Sequence, residues 1–244
     1  MVNFDRIKTD FHTHFLPKTD DGANSTDISV SMLRMLKSQG INKVLATPHY
    51  YNKEDKENFL LRRNNAYKSI SAAIKGADFP EVKLCAEVNM FKYMSETDLS
   101  CFCIENTKII LLEIPYGRMN SWVINELESI IYEQKLTVIL AHLDRYLQWF
   151  GDNDFKNLLS LTDIVYQINA EAFSKHKSRK FVYSLASAGY PLVFGSDCHN
   201  LTTRPPDFGN VNKYLNKNKY KIILKNLDHG INILNNEGCE QFFE

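Results

Sequence analysis

Imidazole and carboxylate side chains recur along this chain, each close behind a short apolar run. Five of the seven histidines belong to this pattern, and nitrogen and oxygen donors of this kind bind transition-metal ions. The nine residues predicted as metal ligands are His12, His14, Asp21, His49, Glu87, Glu113, His142, Asp197 and His199. Burying four carboxylates and five imidazoles together would be very costly without cations, so the conjunction indicates a metal centre.

Each residue taken alone has a simpler explanation. A single His-x-His pair is most often part of a surface strand, Glu113 could be a salt-bridge partner, and His142 could be a satisfied core histidine. The spacing nevertheless suits metal binding, because His12 and His14 point to the same face of an extended strand. Asp10 lies on that face and could orient one of the imidazoles.

The number of ligands predicts more than one ion. Nine donors exceed the roughly four to six positions around a single cation, so we expect two or three ions that share a bridging carboxylate. Imidazole and carboxylate donors suit manganese, iron or zinc and leave the choice open. The positive charge of three divalent ions would exceed the negative charge of the four carboxylates. Such a site attracts a phosphate dianion and lowers the pKa of a bound water.

Two arginines stand close to the predicted ligands in sequence. Arg145 follows His142 by three residues, and Arg204 follows His199 by five. A guanidinium group is always charged and binds phosphate in a bidentate manner, so we expect both to act in catalysis together with Asp197. The alternative for each arginine is a salt bridge at the rim of the site.

Cys198 and Arg204 also match C-x5-R, the signature of cysteine-dependent phosphatases. The loop between them lacks glycine, although its backbone would have to wrap tightly around phosphate, and Pro205 and Pro206 follow where a helix should present its amides. The sequence therefore disfavours a cysteine nucleophile.

The elements that must position these residues are alternating strands and helices. Apolar runs predict strands at 6–11, 43–46, 82–85, 108–112, 137–140, 164–167 and 191–194. Helical periodicity lies at 27–39, 55–77, 121–134, 153–161 and 175–188. The first helix is the clearest, because Ser25 or Thr26 can cap its start and Gly40 can end it.

Seven strand–helix units in one domain predict parallel strands, arranged as either an open doubly wound sheet or a closed barrel. Predicted ligands follow six of the seven strands, and Asn169, a weaker candidate, follows the other. The carboxyl ends of barrel strands meet at one mouth, which favours the barrel. We therefore predict an α/β chain with a distorted TIM-like (β/α)7 barrel, and a single domain over residues 1–244.

Composition excludes several classes of protein. The 29 basic and 29 acidic residues balance, which disfavours a nucleic-acid partner. No apolar run is long enough for a membrane span or a signal peptide, so we expect no membrane-embedded segment. The five cysteines are odd in number and scattered, which argues against a disulfide framework. These features predict a cytoplasmic enzyme.

The motifs together resemble the polymerase and histidinol phosphatase (PHP) superfamily. More closely, they resemble the bacterial manganese-dependent tyrosine phosphatases of capsule and exopolysaccharide operons, the CpsB/YwqE type. The matching stretches, in chain order, are 10–14, 20–22, 46–49, 86–88, 111–114, 141–146, 196–200 and 204–206.

The resemblance implies a PHP-type barrel, three divalent ions of which Mn²⁺ is the expected one with Fe, Zn or Co as alternatives, and direct hydrolysis of phosphotyrosine. It implies that Arg145 and Arg204 bind phosphate, and that the substrate is the tail of a bacterial tyrosine kinase that controls polysaccharide synthesis. By the same resemblance, one ion is held by His12, His14, Glu87 and Asp197, a second by Glu87, Glu113 and His142, and a third by Asp21, His49 and His199.

Three other functions stay open on the sequence. The first is a PHP phosphatase for a small phosphomonoester such as histidinol phosphate. The second is a non-catalytic module that metals stabilise, although all nine ligands are present. The third is a nuclease, which the balanced charge disfavours.

Overall fold

The computed structural model describes residues 7–217 and 220–236. The strands within these residues are β1 (Thr9–Thr13), β2 (Lys43–Ala46), β3 (His49–Tyr50), β4 (Glu81–Leu84), β5 (Glu87–Asn89), β6 (Ile109–Glu113), β7 (Thr137–Leu140), β8 (Ile164–Asn169) and β9 (Leu192–Gly195). The α-helices are α1 (Thr26–Ser38), α2 (Lys56–Ile74), α3 (Ser121–Tyr132), α4 (Asp152–Leu159), α5 (His176–Ser187), α6 (Phe208–Leu215) and α7 (Lys221–Asn236).

All paired strands run parallel and form two sheets, with orders β1-β2-β4 and β3-β5-β6-β7-β8-β9. The sheets are continuous where β2 leads into β3 and β4 into β5, because the amide of Cys85 donates to the carbonyl of Ala46 at 3.0 Å. At the other edge, the amide of His14 donates to the carbonyl of Cys198 at 3.0 Å and joins β1 to the segment after β9. The strands therefore close into the predicted distorted (β/α)7 barrel.

Side chains alternate between the inside and the outside of the barrel, as the two-residue period of a strand requires. In β6, Ile109 and Leu111 lie in the cluster that fills the barrel, whereas Ile110 and Leu112 pack in the layer between strands and helices. The interior cluster consists of Phe11, Leu45, Cys85, Ile104, Ile109, Leu111, Ile139, Ala141, Val165, Val193 and Leu234. Apolar residues thus fill the barrel and leave the polar chemistry to its mouth.

The first helix follows the sequence prediction closely. The side chain of Ser25 accepts a hydrogen bond from the amide of Ile28 at 3.3 Å, so Ser25 rather than Thr26 is the N-cap. Met32, Leu33 and Leu36 face the core, and Gly40 has a φ of 89° after the helix ends. This helix and the barrel strands therefore carry strong local signals.

Several boundaries and elements differ from the sequence prediction. β1 continues through Thr13, so His12 lies within the strand rather than beyond it, and position 6, where the strand was predicted to begin, lies outside the described residues. The short strands β3 and β5 and the helices α6 and α7 were not predicted. Helix α7 packs against α5 and β9, where Asn226 donates to the carbonyl of Ala186 at 2.8 Å. None of the described helices is both long and apolar enough to cross a lipid bilayer.

The close contact of α7 with β9 depends on Gly230. A Cβ atom at this position would lie 2.4 Å from the carbonyl oxygen of Leu192, which belongs to the backbone of β9 and cannot turn aside. We expect Gly230→Ala to lower the free energy of unfolding by about 1–3 kcal/mol, although alanine is the better helix former. Chemical denaturation measures the change.

Gly209 in α6 is the matched control. A Cβ atom there would meet nothing closer than 3.8 Å, so Gly209→Ala should leave stability unchanged or raise it by up to about 1 kcal/mol. Equal effects of the two substitutions would contradict this account of the α7 contact.

Candidate metal centre

All nine predicted ligands converge at the mouth of the barrel. Three groups of side chains offer ligand atoms that lie within 4.8 Å of one another. The groups are His14, Asp21, His49 and His199; His12, His14 and Glu87; and His49, Glu87 and Glu113. His142 and Asp197 join them through the short contacts described below, so residues from distant parts of the chain form one continuous cluster.

Glu87 lies at the middle of the cluster and is fully enclosed. Its Oε2 atom lies 3.0 Å from Nε2 of His12, 3.2 Å from Nε2 of His14 and 3.0 Å from Nδ1 of His49. Its Oε1 atom lies 2.9 Å from Nε2 of His142. Four imidazoles from three other parts of the barrel thus meet a single carboxylate, which suits a bridging ligand.

The remaining carboxylates extend the cluster on both sides. Asp197 Oδ1 lies 3.5 Å from Nε2 of His14 and 3.5 Å from Nδ1 of His199. Asp21 Oδ1 lies 3.3 Å from Nε2 of His199, and the Asp21 side chain is 66% exposed, so this edge of the cluster faces solvent. On the far side, Glu113 Oε1 lies 3.3 Å from Nε2 of His142.

Two polar side chains orient the first two imidazoles. Gln167 Oε1 lies 3.0 Å from Nδ1 of His12, and Asp20 Oδ2 lies 2.8 Å from Nδ1 of His14, which directs both Nε2 atoms toward Glu87. Asp10 does not have the predicted orienting role, because its Oδ1 atom accepts from the backbone amides of His12 and Ser196 at 3.1 and 2.8 Å. Asp10 therefore ties β1 to the segment after β9.

Neither Gln167 nor Asp20 has a role predicted from the sequence. Gln167 stands two residues before Asn169 on β8, so the strand period places both on one face, which was the available signal. Asp20 was visible beside Asp21, but only the fold shows that Asp20 points to the imidazole of His14 while Asp21 points to His49 and His199.

The loop that carries both aspartates presses against β1. The amide of Ala23 donates to the carbonyl of His14 at 3.0 Å, and a Cβ atom at Gly22 would lie 2.1 Å from that same oxygen. Only glycine fits so close to the backbone. This close approach explains why a glycine follows the two aspartates.

Two predicted ligands have an unusual backbone conformation. His142 has a φ of 33° and Asp197 a φ of 51°, and each lies two residues after the last residue of a barrel strand. Residues other than glycine have a strained backbone at positive φ, at a cost of roughly 1–3 kcal/mol each. Such strain is common at functional sites. These turns direct both side chains back over the mouth of the barrel.

Opposing effects set the protonation of the cluster. Burial lowers the pKa of His14, but the charges of Asp20 and Glu87 outweigh it and hold that pKa well above its usual value. Burial raises the pKa of Glu87, but His12 and His49 outweigh it and hold that pKa well below its usual range. The central carboxylate is therefore ionised.

The pKa values of two further imidazoles are shifted in opposite directions. Burial lowers the pKa of His142, yet its contacts with Glu113 and Glu87 raise it to about 9 overall. Burial and the neighbouring charge of His14 lower the pKa of His199 to about 3. Neighbouring imidazoles at such close range cannot all be doubly protonated and positively charged, and bound metal ions would hold them in the neutral form.

Several buried ligand atoms of the cluster make no hydrogen bond among the described residues, which also suits the binding of cations. Glu87 Oε2, His49 Nδ1 and His199 Nε2 are buried and make no hydrogen bond within the described part of the chain, although other donors and acceptors lie about them. Unpaired buried polar atoms are costly unless something else binds them. Their convergence in a cluster of nitrogen and oxygen donors matches divalent metal ions.

Two guanidinium groups end at the edge of the cluster. Arg145 Nη2 contacts Asp197 Oδ2, and Arg204 Nη2 donates to Asp197 Oδ1 at 2.8 Å. Asn169 Nδ2 also donates to Asp197 Oδ2, at 3.0 Å. These residues and Ser196 line a cavity of about 130 Å³, so both predicted phosphate-binding arginines lie beside the predicted ligands.

Exposed aromatic rings surround the mouth, a feature absent from the sequence prediction. Tyr116 is 51% exposed, its hydroxyl accepts from Arg145 Nη1 at 3.1 Å, and its ring lies 5.1 Å from that of Trp149. The exposed ring of Tyr51 lies 5.4 Å from the imidazole of His49. We call Tyr51, Tyr116 and Trp149 the aromatic rim.

Cys198 lies below the site rather than in it. Its side chain is fully buried in the core, and burial raises the pKa of its thiol far above the usual value. A thiolate nucleophile needs a lowered pKa and an exposed position. The C-x5-R match therefore arises by chance.

Comparisons with known proteins agree with this description. A family model described as "Capsular polysaccharide synthesis, CpsB/CapC" matches residues 8–231. The tyrosine-protein phosphatase YwqE of Bacillus subtilis is 27% identical over 223 residues, which cover 80% of this chain and 78% of that protein. The tyrosine-protein phosphatase CpsB of Streptococcus pneumoniae is 26% identical over 214 residues, which cover 81% of this chain and 85% of that protein.

Solved structures share the fold. One that represents YwqE of Bacillus subtilis and CpsB of Streptococcus pneumoniae, described as metal-dependent tyrosine phosphatases, matches with a TM-score of 0.78 at 20% identity, over 94% of this chain and 95% of that one. The phosphotriesterase homology protein of Escherichia coli matches with a TM-score of 0.50 at 11% identity, over 98% of this chain and 99% of that one.

The raised pKa of His142 predicts how the metal-free protein responds to pH. A histidine whose folded pKa is raised stabilises the fold below its unfolded value of 6.5, and this contribution is lost as pH rises toward about 9. We expect the free energy of unfolding of chelator-treated protein to fall across this window. Urea denaturation at both ends of the window measures it.

His142→Gln is the control, since it removes the titrating imidazole and should reduce the slope. Saturation with a divalent metal should also reduce it, because bound ions keep the imidazoles neutral at every pH in the window. Parallel curves for the metal-free wild type and His142→Gln would contradict the assignment.

Proposed function

The chain belongs to the CpsB/CapC family of capsular polysaccharide synthesis, and we propose that it is a metal-dependent tyrosine phosphatase that hydrolyses phosphotyrosine on a protein. The observation that carries the proposal is the meeting of Arg145 and Arg204 on Asp197, at the edge of a cluster of imidazoles and carboxylates. The names of the relatives YwqE and CpsB support the same activity. We further propose that residues 1–244 act as one phosphoesterase domain.

We propose that three divalent ions, Mn²⁺ in the first instance, occupy the cluster. Three groups of converging ligand atoms support the number three, and the mixture of imidazole and carboxylate donors supports manganese, with iron, zinc or cobalt as alternatives. The residues that would hold the ions are His12, His14, Asp21, His49, Glu87, Glu113, His142, Asp197 and His199. Bound divalent cations would supply Lewis-acid chemistry, offsetting phosphate charge and making water acidic enough to attack at neutral pH.

The side chains around the cluster have separate tasks in this proposal. Arg145 and Arg204 donate to the non-bridging phosphate oxygens and neutralise charge that develops on them. Asn169 and the two arginines hold the Asp197 carboxylate in one orientation. Gln167 and Asp20 keep His12 and His14 in single ring orientations, so the ligand atoms are positioned before substrate arrives.

The aromatic rim supports phosphotyrosine over a small aliphatic phosphate. Tyr116 and Trp149 expose ring surface beside Arg145, where the phenyl ring of a substrate would lie if its phosphate reached the arginines. A phenolate leaves easily because the pKa of tyrosine is near 10, so little proton donation is needed. Histidinol phosphate offers neither a phenyl ring nor a good leaving group.

We propose a bacterial tyrosine kinase that controls capsule or exopolysaccharide synthesis as the protein substrate, and the cytoplasm as the compartment. Membership in a family of capsular polysaccharide synthesis supports the substrate. The free cysteines of the described residues support the compartment.

Chelation separates this proposal from cysteine chemistry. We expect a chelator to abolish hydrolysis of a phosphotyrosine peptide and Mn²⁺ to restore it, because hydrolysis depends on bound ions. Cys198→Ser should keep nearly all activity, since that thiol is buried and protonated. Initial rates with and without metal measure both effects.

An inactive Cys198→Ser protein that folds normally, together with a metal-independent wild type, would overturn the mechanism. Metal binding without activity toward any phosphoester would favour the non-catalytic module. Faster turnover of histidinol phosphate than of the phosphotyrosine peptide would favour the small-molecule phosphatase.

Tyr116 tests the role of the rim. We expect Tyr116→Ala to raise KM for an aryl phosphate by about two- to tenfold, because a ring–ring contact is lost, and to change KM for an alkyl phosphate less. Tyr116→Phe keeps the ring and loses only the hydroxyl that accepts from Arg145, so it is the control. Equal changes for both substrates in Tyr116→Ala would remove the rim from substrate selection.

A further inference from the structure

A second cavity with a basic lining lies on the outer layer of the barrel, between α5 on one side and Tyr214, Lys217 and Tyr220 on the other. It measures about 530 Å³, larger than the 130 Å³ cavity beside Asp197. Four basic side chains line it, together with three tyrosines. The basic residues are His176, Arg179, Lys180 and Lys217, and we call this cavity the α5 pocket.

No acidic side chain among the described lining residues balances the positive charge of the α5 pocket. Among the described residues that line it there is no aspartate or glutamate, although acidic and basic residues are equal in number over the whole chain. Basic side chains elsewhere commonly have acidic partners, as Arg62 has with Glu54 and Lys175 with Glu171. A cavity whose described lining holds basic groups and no carboxylate favours an anionic ligand.

Two of these cations are held in place by contacts that leave their charge intact. The guanidinium of Arg179 lies 4.4 Å above the ring of Tyr214 and donates to the carbonyl of Phe173 at 2.7 Å. The ammonium of Lys217 lies 4.5 Å from the centre of the same ring. Cation–π contacts and a neutral carbonyl fix position without neutralising charge, so the pocket is organised before a ligand binds.

A groove of about 350 Å³ lies beside Arg145 and reaches the start of α5. It is lined by the cations Arg145, Lys175 and Lys177 and by the carboxylates of Asp144 and Glu171, so cations exceed carboxylates by one. Lys177 is anchored there, since its ammonium donates to the carbonyl of Leu147 at 3.2 Å. His176 and Arg179 line the pocket whereas Lys177 lines the groove, so the pocket and the groove lie on different faces of the first turns of α5.

We propose that the α5 pocket binds the acidic flank of the polypeptide whose phosphotyrosine enters the metal centre. This inference rests on the proposed function, and it extends the substrate from one phosphorylated residue to a segment with carboxylates on one side of it. Charge complementarity selects an acidic segment, and the start of α5, which borders both the pocket and the groove that Arg145 lines, places that segment near the metal centre. Arginine and lysine clusters are a common means of recognising acidic and phosphorylated segments.

The test compares two phosphotyrosine peptides that are identical except for glutamate or glutamine at the flanking positions. We expect the wild type to have a lower KM for the acidic peptide, with equal kcat, and the difference to shrink as salt is added. Lys180→Glu with Lys217→Glu should raise KM for the acidic peptide by roughly tenfold and leave kcat unchanged. Neither substitution touches the metal centre, so hydrolysis of a small aryl phosphate should be unaffected.

The matched control is Lys68→Glu with Lys75→Glu, which makes the same change of net charge on and after α2, outside the pocket. It should leave the peptide preference intact. Lys180→Glu alone should give a smaller shift in the same direction, which keeps the test informative if the double substitution at the pocket prevents folding.

The outcomes separate the two proposals. If the wild type hydrolyses both peptides with equal KM, or if the control variant loses the preference as strongly, the pocket inference is overturned and the proposed function stands. If it hydrolyses neither peptide, the proposed function fails and this inference fails with it. Binding of an acidic polysaccharide that depends on Lys180 and Lys217, with unchanged KM for the peptides, would assign the pocket to sugar and also overturn the inference.

Discussion

Buried charge at the mouth of the barrel is the constraint on which the rest of this structure depends. Glu87, Glu113 and Asp197 are each at most 2% exposed, and carboxylates in such positions are costly unless opposite charge surrounds them. Imidazoles from distant strands provide it at distances near 3 Å. Because every member needs the others, the cluster holds the strand ends together and specifies the arrangement in which cations can bind.

The irregularities of the barrel follow from this constraint. His49 and Glu87 are the first residues of the short strands β3 and β5, which begin after interruptions of β2 and β4. His142 and Asp197 reach the mouth through backbone turns with positive φ. A regular strand would send its side chains along the barrel wall, whereas these breaks aim them inward. Apolar packing below and the ion pairs above stabilise conformations that would otherwise be unfavourable.

Basic side chains outside the cluster form separate groups on the surface. Arg145 and Arg204 contact Asp197 directly and suit a phosphate. Lys175 and Lys177 border the adjoining groove, and Arg179, Lys180 and Lys217 belong to the α5 pocket. Asp144 and Glu171 also line that groove, so its charge is mixed, whereas the charged side chains that line the α5 pocket are all basic. Tyr116 and Trp149 of the aromatic rim lie beside Arg145 and provide apolar contact surface where a phenyl group would enter.

The sequence by itself determined the fold class, the order of the seven main barrel strands and of five helices, and the nine residues that meet at the mouth. These follow from local signals: apolar periodicity marks strands and helices, and polar residues at the carboxyl ends of parallel strands must converge once the sheet closes. The ability to bind a metal ion is likewise a property of residue type. The His-x-His pair and the acidic residues at strand ends therefore predicted a metal site before any contact was known.

Only the tertiary structure decided how those residues are supported. Gln167 and Asp20 orient the imidazoles, Asp10 binds backbone amides instead, and Cys198 is sealed in the core. Helix α7, the aromatic rim and the α5 pocket also emerged only there. Each of these depends on which atoms from remote segments come within a few ångströms of one another. Such distances are set by the packing of the whole chain, and no local pattern of residues encodes them.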